Sequence, residues 1–184
     1  MVAIVAPAAP ADDVLESRKA CPPRPHPSRE WSQKTLLPIV ECDGFYGVVL
    51  PVAAATAVLC QCSRPSLGPA AAYWTPTTPD IAQLEARLTA YLRPNAHPHL
   101  RDQWRRLGDY LRQYLGVERG GRKLIYVNFL GGELFSFVRR PTHRAAIERR
   151  WRSTAFVICD GGPDFFSVEY DVAAAQFTRI DFNY

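Results

Sequence analysis

The sequence predicts an α+β domain over residues 73–184, with two N-terminal amphipathic helices packed on one face of a roughly four-stranded antiparallel β-meander. Three observations predict it. Apolar residues recur at helical spacing in Ile81, Leu84, Leu88, Tyr91 and Leu92, and again in Trp104, Leu107, Leu111 and Tyr114. The period then drops to two, with Ile125, Val127 and Phe129 alternating with Tyr126 and Asn128. Turn-forming clusters, ERGG at Glu118–Gly121 and DGGPD at Asp160–Asp164, punctuate the later segments.

Taken in order, Thr78-Pro79-Asp80 reads as a helix start: Thr78 can cap, Pro79 suits the first helical position, and Asp80 suits the positive end of the dipole. Pro94 and Pro98 close that helix. A second helix is expected from Leu100 to Leu115, stopped by Gly116. Strands are expected at Leu124–Leu130, Ala155–Cys159, Phe166–Tyr170 and Phe177–Phe182, with a turn at Asp171–Ala175. The connection Gly131–Arg152 is long for a hairpin, and loops beyond about 12–15 residues usually carry function or disorder. Within it, Ala145–Arg152 reads as a short basic helix.

Upstream, residues 1–47 are set apart from the domain. CPPRPHPSREW (Cys21–Trp31) has Pro at alternating positions and no apolar periodicity, so it builds no packed face. It reads either as a disordered tail or as sequence upstream of the true start, with Val48 or Val49 as the initiating position; the second account is preferred. The apolar run Val48–Leu59 then reads as a secretory signal followed by a small-residue linker to Ala72. One form ends as a lipobox, Ala57-Val58-Leu59-Cys60, with lipidation at Cys60, although Leu59 stands where a small residue is expected. The other form is cleaved near Ala70-Ala71-Ala72. A transmembrane helix needs about 20 apolar residues, which this run does not supply. A buried core helix is the remaining reading.

Charge narrows the partners only weakly. The 22 Lys and Arg exceed the 18 Asp and Glu by +4. All of that excess falls from Tyr73 onward, where Lys123 is the sole Lys. A balance of this size favours solubility and weak attraction to anionic surfaces. Five cysteines show no CxxC spacing. A Cys62–Cys159 disulfide is one reading, and Cys159 as a plain buried residue is the preferred one.

Three strings carry a family resemblance: YWTPTTPDIAQLEARL (Tyr73–Leu88), YLRQYLGVERGGRKLIYVNFL (Tyr110–Leu130) and CDGGPDFFSVEYDVAAAQFTRIDFN (Cys159–Asn183). Together they resemble a group of small exported bacterial proteins and lipoproteins. The resemblance implies a periplasmic or cell-envelope location behind a signal or lipobox, and it implies no activity. The long prefix before Gly47 departs from it.

The expected function is a non-catalytic exported protein whose domain binds a partner or ligand. Arg139, Arg140, Arg144, Arg149, Arg150 and Trp151 are the expected contacts, with Arg112 and Tyr114 second. An anionic envelope component or a protein suits such a patch, and a membrane enters only through the lipid anchor. The runner-up is a small hydrolase with Cys159 as nucleophile, His143 as base and Asp160 beside them. A third reading is a cytosolic nucleic-acid-associated protein, with Arg on phosphates and Trp151 on a base, but Glu148 interrupts the run and no recognition motif is present. Asp160, Asp164 and Asp171 lack the spacing of a calcium loop and read as turn residues. No cofactor is expected.

Overall fold

A computed structural model describes residues 36–42, 45–60, 64, 67, 70–95, 103–131 and 141–183. Its centre is a hairpin. β4 (Leu111–Arg119) and β5 (Arg122–Leu130) pair in unbroken register from Leu111 opposite Leu130 to Arg119 opposite Arg122. Two residues join them, Gly120 and Gly121, both at positive φ (56° and 72°). That is the type I′ geometry a two-residue hairpin needs, and glycine adopts it without a Cβ penalty.

β6 (Phe165–Asp171) and β7 (Gln176–Phe182) continue the antiparallel order beyond β5. On the other side, β1 (Ile39–Cys42) and β2 (Phe45–Val49) form a hairpin, and β2 runs parallel to the first half of β4. β3 (Ala72–Trp74) pairs with the second half of β4 along that same edge. The result is a mixed seven-stranded sheet in the order β1-β2-β4-β5-β6-β7, with β3 off the path against β4. The expected four-stranded antiparallel meander is therefore corrected. A parallel pair requires a long crossover, and residues 50–110 supply it.

Helices cover both faces. α1 (Ala55–Leu59) and α3 (Pro141–Trp151) lie on one, α2 (Thr78–Asn95) on the other. α2 starts one residue earlier in its cap than expected. Thr77, not Thr78, is the cap: its Oγ1 accepts from the Asp80 amide at 3.4 Å, and Asp80 Oδ2 accepts from the Thr77 amide at 2.9 Å. Ile81, Leu84, Leu88 and Leu92 from α2 meet Ile125, Val127, Phe129, Phe166 and Tyr170 from the sheet, as their helical spacing predicts. This helix sits mid-chain, between strands, and not at the N-terminal end of a domain.

The second expected helix does not form. Gln103–Asp109 is a short 3-10 segment, and the chain is already in β4 by Leu111. Trp104, Leu107, Leu111 and Tyr114 imitate a helical stripe because the 3-10 segment turns Trp104 and Leu107 inward and the strand that follows is buried on both sides. Arg112 to Val117 are all buried, and a strand covered on both faces shows no alternation.

The apolar run Val48–Leu59 is part of the fold. Val48 lies in β2 at 0% exposure, and Leu50, Ala54, Ala55, Val58 and Leu59 are buried against Leu115, Val117 and Leu124. Burying a Val or Leu side chain contributes about 1.5–3 kcal/mol. A chain cut at Cys60 or Ala72 loses those contacts and the strands β1 and β2.

Ala155–Cys159 forms no strand, because side chains take the place of a partner strand. The Phe156 amide donates to Gln113 Oε1 at 2.9 Å, and Asn128 Nδ2 donates to the Phe156 carbonyl at 2.9 Å. Asn183 Nδ2 donates to the Ile158 carbonyl at 2.8 Å. Buried Arg64 completes this layer, donating to Asn183 Oδ1, Tyr126 Oη and Asn128 Oδ1. Every buried polar group here has a use: it straps the segment after α3 onto the sheet.

Candidate ligand pocket

The opposite face of the sheet carries a cavity. β4 presents Arg112 and Tyr114 two residues apart on the face that α2 covers. From α2, Ala82, Glu85, Ala86 and Thr89 form a single stripe at helical spacing. The small Ala side chains leave room that Leu at the same positions would fill. Phe45 at the start of β2 and Trp104, Arg105, Leu107 and Gly108 of the 3-10 segment close the remaining sides. The space they partly enclose is about 530 Å³, within the range of small-molecule sites.

An ion pair forms the floor. Arg112 Nε lies 2.9 Å from Glu85 Oε1, with the side chains 2% and 6% exposed. The same carboxylate oxygen accepts from Tyr114 Oη at 2.7 Å, while Arg112 Nη1 donates to the Tyr110 carbonyl at 2.7 Å. The guanidinium sits between Phe45 and Phe129, 4.9 and 5.3 Å from the ring centroids, an arrangement that adds cation–π attraction. At the rim, Arg93 and Arg105 lie 4.6 and 5.0 Å from the Trp104 ring.

Gly47 makes this arrangement fit. A Cβ there would collide with the Tyr114 ring, which leans across β2 towards Glu85. Gly47→Ala is expected to push the Tyr114 hydroxyl off Glu85 and destabilise the protein by about 1–3 kcal/mol, the usual cost of overpacking. Urea denaturation measures it, and a variant as stable as the parent would show that Tyr114 is not held there.

Burial pushes the Glu85 carboxyl above its usual 4.5, and this desolvation outweighs the Arg112 charge and the hydrogen bonds from Tyr114 and Arg112. A raised folded-state value means that the folded protein holds the Glu85 proton more tightly than the unfolded chain. Glu85 therefore contributes most to stability below about 4.5, and that contribution fades as pH rises through the raised value. The stability of the parent minus that of Glu85→Gln is expected to decline with rising pH across this window. A flat difference in denaturation curves taken at several pH values would contradict it.

The sequence-predicted residues divide. Arg112 and Tyr114 come together on Glu85; Arg112 lines the cavity, and Tyr114, 0% exposed, does not. Trp151 is 2% exposed in the core beneath α3, and its indole donates to the Arg112 carbonyl at 3.2 Å, so it is not placed to stack on a ligand. Arg149 and Arg150 are exposed on α3, on the sheet face opposite the cavity, and Arg150 lies 5.0 Å from the Phe156 ring centroid. Arg139 and Arg140 lie outside the described residues, as do the side chains of Arg144 and His143. Cys159 is exposed, not buried, and disulfide-bonded, so it offers no thiolate; Asp160 beside it faces solvent at φ 58°. Cys60 is also disulfide-bonded, which leaves no thiol for lipidation.

Sequence reasoning missed Glu85, Phe45 and the Trp104–Gly108 wall. Glu85 falls between Leu84 and Leu88 on the helical repeat and looks solvent-facing. Only the run of Ala at positions 82, 86 and 90 hinted at a gap beside it. No family model, curated protein or solved structure matches this chain.

Proposed function

We propose that this chain is a non-catalytic binding protein of an oxidising compartment, the periplasm or cell envelope, with the cavity between α2 and β4 as its ligand site. The observation that carries the binding reading is a cavity of about 530 Å³ floored by a buried, hydrogen-bonded Arg112–Glu85 pair. Ligand pockets have this composition: mostly apolar walls with a few fixed polar groups. Leu107, Phe45, Trp104 and the two Ala supply the apolar walls, and Arg112, Glu85, Arg105 and Thr89 the polar set.

The compartment is supported by Cys60 and Cys159, both disulfide-bonded. Disulfides persist in oxidising surroundings and are rare in the cytosol. The apolar run no longer contributes to this reading, because its residues are core.

The test is fragment screening by carbon–proton NMR on the methyls of Ala82 and Ala86. Binding fragments are expected to converge on these two signals. Ala86→Phe, at an exposed helical position, is expected to abolish the shift of the remaining Ala82 methyl while the protein stays folded. A library that leaves both methyls unmoved would sink the reading.

A further inference from the structure

The charges around the cavity go beyond binding in general and indicate what is bound; the inference rests on the pocket reading. Two guanidinium groups, Arg112 and Arg105, line the cavity against one carboxylate, Glu85, and Arg93 stands beside Trp104 at the rim. Glu85 Oε1 is already taken by Arg112 Nε and Tyr114 Oη. Arg112 spends Nε on Glu85 and Nη1 on the Tyr110 carbonyl. Nη2 is left as its donor for the cavity, held in a fixed plane by Phe45 and Phe129. A donor that is charged, planar and immobilised before binding suits a carboxylate. Elsewhere in the lining, Ala82, Ala86 and Leu107 offer only apolar surface.

We propose that the cavity takes a small organic acid, its carboxylate on Arg112 Nη2 and Arg105 and its apolar body against Phe45, Ala86 and Leu107. A cationic ligand would meet two guanidinium groups, Arg112 and Arg105. A neutral apolar one would leave Nη2 without an acceptor.

A consequence follows for Glu85. The charged and titratable groups around it are Arg112 and Tyr114 from β4 and Arg105 from the 3-10 segment. A bound carboxylate shares Arg112 with Glu85 and adds negative charge beside it. Glu85 then takes up a proton as the ligand enters, and affinity for the acid falls as pH rises.

Three probes of one shape test this: benzoate, benzyl alcohol and benzylamine, each titrated calorimetrically and by the Ala82 and Ala86 methyl shifts. Benzoate is expected to bind roughly tenfold tighter than benzyl alcohol, the scale of one charge-assisted hydrogen bond, with benzylamine weakest. In two buffers of different ionisation enthalpy, benzoate binding is expected to show net proton uptake, absent in Glu85→Gln. Arg105→Gln, an exposed position that need not disturb folding, is expected to weaken benzoate several-fold and leave benzyl alcohol unchanged. Benzyl alcohol binding as tightly as benzoate, or benzylamine tighter than both, overturns the acid while the pocket reading stands. Failure of all three probes to move either methyl overturns both.

Discussion

Replacing Arg112 with Met is expected to cost about 3–5 kcal/mol of unfolding free energy near neutral pH, the range for breaking a buried ion pair from one side. The pair itself is not a large net gain, because both charges have left water. Removing one partner is costly because the other stays behind. Here the carboxylate of Glu85, 6% exposed, would keep only the Tyr114 hydroxyl. The guanidinium also fills the space between Phe45 and Phe129, and Met replaces that contact only in part.

The same argument fixes the pH dependence. Without Arg112, Glu85 holds its proton to higher pH than in the parent, so the variant gains relative stability as pH falls. The deficit of Arg112→Met is expected to shrink on acidification. The double change Arg112→Met with Glu85→Leu removes both charges and is expected to recover much of the loss. Urea denaturation at two pH values decides it. Equal deficits in the single and double variants would mean that packing, not charge, sets the cost.

Trp151→Ala is expected to cost a similar ~3–5 kcal/mol, by a different route. The indole is 2% exposed among Leu50, Leu115 and Phe156, and truncation leaves a void that a two-sided sheet cannot close. It also removes the bond from Nε1 to the Arg112 carbonyl at 3.2 Å. The Trp151 carbonyl receives Gln113 Nε2 at 2.8 Å, so the end of α3 loosens with it. Arg150→Ala, one residue away and exposed, is expected to change stability by less than about 0.5 kcal/mol. Were Trp151 a surface platform for a base or a partner, its loss would resemble that of Arg150. Thermal and urea unfolding of the two variants distinguishes these cases.

What could be read in the sequence follows from how each element is buried. α2 was legible because one of its faces meets the sheet, so Ile81, Leu84 and Leu88 stand out against exposed neighbours. β5 to β7 were legible for a related reason: turns at Gly120-Gly121 and at residues 172–175 punctuate short runs of alternating residues. β4 was not: it is buried on both faces as β5 is, but its apolar residues Leu111 and Tyr114 also continue the helical spacing of Trp104 and Leu107 before it. The run Val48–Leu59 misled by its composition. A strand and a short helix buried on every side have the composition of a signal, and only their neighbours Leu115, Val117 and Leu124 show that they are core.

The candidate site was partly visible. Arg112 and Tyr114 stand out in the sequence as polar groups beside an apolar stripe, but the spacing of that stripe is a helical one. In β4 the two side chains lie on one face by strand periodicity, which is why they meet Glu85. Glu85 itself, 27 residues away from Arg112, carries no local mark of its partner.

By itself, then, the sequence determined the helix α2, the strands β5, β6 and β7 and the tight turn between β4 and β5. These depend on contacts between near neighbours and on backbone conformations that particular residues favour or forbid. Only the tertiary structure decided that the apolar run is core, that β2 pairs parallel to β4, and that Arg112 closes on Glu85 beside an open cavity. Those are pairings across long separations, and burial on both sides erases the periodicity by which a sequence announces them.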